Sequence, residues 1–117
     1  MVLINIGSND FKKGRVFSET QIWEFALLIE NVRRAFEGKR VVVSSLFYRS
    51  DVEREVVDRS NRLMEEAVRG MEGVEWMEVP GAEEGIGEGT FDDHVHLNRE
   101  GYEIWDKWLV ERLGLEQ

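Results

Sequence analysis

The chain predicts an α/β fold, three-layered α/β/α, built around a mostly parallel sheet of about three strands. Two observations predict it. Short β-branched runs alternate with longer segments of helical period, and turn-forming residues separate the two kinds of segment. Such alternation implies parallel strands joined by right-handed crossovers, with helices lying on the sheet faces.

Each element has its own signal. "VLINI", running from Val2 to Ile6, is apolar and β-branched and breaks at "GSND", so it reads as a buried strand ending in a turn. Ser18 and Gln21 then have capping-box spacing, and Ile22, Phe25, Ala26, Ile29, Val32 and Phe36 recur at helical intervals up to Gly38. "RVVVSSLF" is a second strand, its three valines suggesting burial on both faces. Ser50 and Glu53 repeat the capping-box pattern before a helix carrying Val56, Val57, Met64, Ala67, Val68 and Met71. "VEWMEV" is a third strand, less apolar and so expected nearer an edge. Residues 80–93 hold the only proline and several glycines, which predicts a loop. Asn98 caps a last helix with Tyr102, Trp105, Trp108, Leu109 and Leu113 along one face.

Composition bounds the function. At 117 residues the chain fits one domain, and 42% hydrophobic content with four Trp and six Phe predicts an ordered fold. The 24 acidic residues against 15 basic give a net charge of −9, which disfavours general nucleic-acid binding. Without cysteine there is no disulfide framework, thiolate metal site or cysteine nucleophile. No apolar run approaches the roughly 20 residues that a membrane span needs. Met1 leads straight into "VLINIG" without the features of a signal peptide. A soluble, cytoplasmic protein is expected.

In an open parallel sheet, ligands bind beyond the carboxyl ends of the strands. "GSND" lies past the first strand and "DDHVH" past the third, so the two polar clusters should share one rim. Asp93 can hold the tautomer of an imidazole at His96 and stabilise its cation during proton transfer. Spacing alone favours a structural role, with His96 bonding at the helix start and Asp93 facing the helix N-terminus. The Asn9 amide can donate to an oxyanion, but taken alone Gly7, Asn9 and Asp10 are better read as a plain turn. A metal site from Asp92, Asp93, His94 and His96 ranks below the Asp–His pair, for want of a further histidine, and no cofactor is expected. "GAEEGIGEG" lacks the ending of a phosphate loop, and its glutamates repel phosphate, so it reads as a flexible loop or lid.

Together "INIGSND", "RVVVSSLFYR" and "DDHVHLNREGY" resemble the SGNH (GDSL-like) hydrolase family, in the same chain order. Gly7 and Asn9 match its Gly-x-Asn block, and Asp10 continues the frequent "ND" form. Asp93 and His96 match its Asp-x-x-His block, extended by Leu97, Asn98, Gly101 and Tyr102. The middle strand is similar to that of the family but lacks its proline. The resemblance implies ester hydrolysis, with His96 as general base, Asp93 as its orienter and Asn9 as an oxyanion donor, acting on a small ester. The family's Gly-Asp-Ser block, whose serine is the nucleophile, has no counterpart here, nor has the following glycine block. Residues 1–117 therefore resemble the C-terminal half of the domain, a flavodoxin-like half-domain and a partial hydrolase. Ser8, Ser44 and Ser45 are poor substitutes, since Ser8 belongs to the donor turn and the strand serines face opposite sides. The strand from Val2 to Ile6 would then be an uncovered edge, predicting a homo-oligomer or a complementing chain at that edge. A scaffold that has kept the fold for binding or self-assembly is the alternative expectation.

Overall fold

A computed structural model describes residues 1–93 and 95–115. Three parallel strands, β1 (Val2–Ile4), β2 (Val41–Ser44) and β3 (Val74–Met77), lie side by side in that order. Three helices accompany them: α1 (Glu19–Ala35), α2 (Arg54–Val68) and α3 (Arg99–Leu113). Pairing aligns Leu3 with Val42 and Val42 with Glu75, which turns alternate residues of each strand to opposite faces.

The two faces have separate cores. Val43 and Ile4 pack with Phe25 and Ile29 of α1 and Val57, Met64 and Val68 of α2. Val42, Met77 and Leu3 pack with Trp105, Leu109 and Leu113 of α3. The molecule is thus an α/β/α sandwich with two helices on one face and one on the other. All four residues of β2 are buried, as its run of valines predicts. No helix among the described residues is long and apolar enough to cross a membrane.

Element ends follow local hydrogen bonding. Ser18 caps α1 by accepting from the Gln21 backbone N–H at 3.2 Å, and Gln21 Oε1 accepts from the Ser18 N–H at 2.8 Å. The same Gln21 donates to the Asp10 carbonyl at 2.7 Å, pinning the turn after β1 to the start of α1. β1 stops at Ile4 rather than at Ile6. The Asn5 amide crosses to β2, donating to Ser44 Oγ at 2.7 Å and the Ser45 carbonyl at 3.0 Å. Helix α2 begins at Arg54, with Glu53 at its N-cap and no side-chain cap, so the pattern at Ser50 does not start it. A turn in which the Val52 N–H donates to the Arg49 carbonyl (3.4 Å) keeps that stretch out of the helix. On α3, Gly101 faces inward, and the roughly 100° step to the next residue turns Tyr102 out to 51% exposure.

Candidate functional site

The loop from β3 to α3 is folded on itself by short 3-10 turns and by a backbone bond from the Asp92 N–H to the His96 carbonyl (2.8 Å). Its end is fixed to the helix by Asn98, which accepts from the Gly101 N–H at 3.0 Å and donates to the Gly89 carbonyl at 2.8 Å. Leu97 is buried beneath, and the Asn98 N–H donates to the Thr90 carbonyl at 2.8 Å. These anchors set the backbone on which Asp93 and His96 stand.

Asp93 and His96 are in contact. Asp93 Oδ2 lies 2.8 Å from His96 Nδ1, while Asp93 Oδ1 accepts from the N–H groups of both Val95 and His96 at 2.7 Å. The His96 and Val95 N–H groups and the His96 ring together hold the Asp93 carboxyl well below the usual carboxylate range. The His96 N–H is the largest of these causes. The His96 side chain is 71% exposed and that of Asp93 53%, so the pair stands at the surface. With Nδ1 engaged by the carboxylate, the other ring nitrogen is the one left to take a proton from a ligand.

After β1, Gly7 has a φ of +109°, a left-handed conformation that releases the chain into the 3-10 turn Ser8–Asp10. Asn9 and Asp10 are exposed on that turn. The residue that joins this turn to the rest of the rim is Arg49, which lies beyond β2. Its guanidinium donates to the Ser8 carbonyl and grips both carboxylate oxygens of Asp51 at 2.8 Å. Asp51 is the largest cause raising the Arg49 pKa, and the charge of Asp93 adds to it through space. Arg49 thus sits between the two polar clusters. Its only trace in the sequence is its place at the end of "VVVSSLFYR", and spacing gave no sign that it would bridge them.

Two concavities lie near these clusters, and Arg49 lines the first of them. One of about 850 Å³ lies between the segment after β2 and the loop after β3, and Asp93 is part of its wall. The other, of about 260 Å³, is lined by Gly7 and Asp10 together with Ile6 and Leu28. Asp93 and the Gly7–Asp10 turn therefore share the carboxyl rim of the sheet but border different hollows.

The strand serines are bonded within the protein. Ser44 and Ser45 are both buried, and both are spoken for. Ser44 Oγ accepts from Asn5, and Ser45 Oγ accepts from the Val79 N–H at 2.9 Å. Ser60 is buried on α2 and accepts from the Phe17 N–H at 3.1 Å. Of the residues considered as metal ligands, His94 lies outside the described residues. Among the described residues, no three His, Cys, Asp or Glu side chains gather as a metal site would need.

No protein-family model matches the chain, and no curated protein matches it.

Proposed function

We propose that this chain carries part of an ester-hydrolase site of the SGNH (GDSL-like) type, inactive by itself. In that reading His96 is the general base, Asp93 orients it, Asn9 donates to the oxyanion, and the nucleophile comes from outside residues 1–117. The observation that carries the reading is the 2.8 Å contact between Asp93 Oδ2 and His96 Nδ1, with the ring otherwise open to solvent. A hydroxyl brought against the free ring nitrogen would pass its proton there while its oxygen attacks the ester carbonyl. Asp93 would stabilise the resulting imidazolium, and the proton would then go to the leaving alcohol. The burial of Ser44, Ser45 and Ser60 supports an external nucleophile.

The free edge of β1 is where we place the contributor of that nucleophile, either a complementing chain or a second copy. Edge strands with unpaired backbone groups attract other strands. The specific test uses a fluorophosphonate probe and p-nitrophenyl acetate. Alone, the chain should show no labelled serine and no acyl burst. With a segment bearing a Gly-Asp-Ser block added, labelling and turnover should appear, and His96→Ala should cut the rate on the order of 10²- to 10⁴-fold. A serine labelled within residues 1–117 would sink the reading.

A second reading, a non-catalytic binding or self-assembly module, has one observation in its favour. The larger cavity is walled without the His96 ring. It predicts ligand binding that is indifferent to His96→Ala.

A further inference from the structure

We propose that the larger cavity is a binding site for a small organic cation, of the quaternary ammonium or guanidinium kind. Its volume of about 850 Å³ is within the range of small-ligand sites. Three aromatic side chains, Phe47, Tyr48 and Phe91, belong to its wall. Phe91 meets Phe47 edge to face, with centroids 6.4 Å apart and planes at 80°, and Trp105 supports Phe47 from behind at 5.3 Å.

The wall already accommodates such a cation. The guanidinium of Arg54 lies 4.7 Å over the Tyr48 ring, and the Tyr48 hydroxyl donates to Asp58 Oδ1 at 2.5 Å. A phenol that donates to a carboxylate is more electron-rich, which strengthens its attraction for a cation above the ring.

The charge of the remaining wall has the same sign preference. Seven carboxylate side chains line the cavity against two guanidiniums, Arg49 and Arg54, and no lysine. Arg49 is held by Asp51 and the Ser8 carbonyl, and Arg54 by the Tyr48 ring, so both are committed to the protein. An anion entering here meets more carboxylates than guanidiniums. Because no three of the described acidic groups converge as metal ligands do, the negative charge is spread over the wall. Diffuse charge beside aromatic faces suits a large, weakly hydrated organic cation rather than a compact metal ion.

The assignment stands apart from the hydrolase reading, since binding needs no chemistry at His96. The test is a ¹H–¹⁵N NMR titration of the full chain with choline and with its neutral isostere, 3,3-dimethylbutan-1-ol. Choline should shift the amides of Phe47, Tyr48 and Phe91 saturably, and the isostere should bind roughly tenfold more weakly. Tyr48→Leu should weaken choline several-fold. The paired surface change Glu83→Gln with Glu88→Gln should do likewise without touching the core, and added salt should weaken choline more than the isostere. Equal binding of the two ligands, shifts confined to other parts of the molecule, or no saturable shift at all would each overturn the proposal.

Discussion

Asp93 Oδ1 accepts two backbone hydrogen bonds, and its Oδ2 is paired with an imidazole nitrogen. The two backbone N–H groups and the ring favour the ionised carboxyl, so its pKa in the fold lies below its unfolded value, which is about 4. The folded state then binds fewer protons than the unfolded chain at acid pH, and stability rises with pH. The contribution of Asp93 is complete above the ordinary carboxylate range and is lost progressively as pH falls below it. Wild type should therefore exceed Asp93→Asn in urea midpoint near neutral pH, and the gap should narrow progressively as pH falls below about 5. Because the side chain is 53% exposed, solvent screening keeps the gap small. A gap that widens on acidification would show that the carboxylate is not the bonded form. The contact with His96 was legible in the spacing of the two residues. The bonds from the Val95 and His96 N–H groups were not, because a bond between a side chain and the backbone leaves no mark on the spacing of the two side chains.

At the scale of elements, packing and local bonding divide what a sequence reveals from what it conceals. The Ser18–Gln21 box and the Asn98 cap were readable because a cap is a short-range bond between a named side chain and the next turn. The two cores were readable because three valines and the helical periodicities fix which faces are apolar. The end of β1 and the start of α2 were not readable. Asn5 bonds to residues 39 and 40 positions away, and the turn before α2 is held by Arg49, whose partners include Ser8 across the molecule. Gly101 belongs with these long-range effects. A Cβ placed there would stand 2.4 Å from the Thr90 carbonyl oxygen and 2.9 Å from a Leu97 methyl. On an exposed helix, Gly→Ala gains up to about 1 kcal/mol. Here the clash reverses the sign, and Gly101→Ala should destabilise by about 2 kcal/mol in chemical denaturation. A stabilised Gly101→Ala would mean that α3 does not dock so closely on the loop that carries Asp93 and His96.

For the molecule as a whole, charge and apolar surface pull in opposite directions. A net charge of −9 keeps copies apart, most strongly at low ionic strength. Yet the turn after β1 and helix α1 also leave apolar groups exposed. Ile6 and Leu28 line one groove there, and α1 leaves Leu27 largely exposed and Trp23 65% exposed. If a second copy covers the free β1 edge, as proposed, burial of these groups drives the contact and like charge opposes it. Salt screens the repulsion and leaves the hydrophobic term intact, so association should strengthen as salt is added. Sedimentation equilibrium should then show mass rising from low to high salt, and Leu28→Glu should hold the chain monomeric throughout. A contact made by ion pairs would respond the other way and weaken with salt. A chain that stays monomeric at high micromolar concentration in every salt would leave the β1 edge to a partner of different sequence, which is then the one to be sought as the source of the nucleophile.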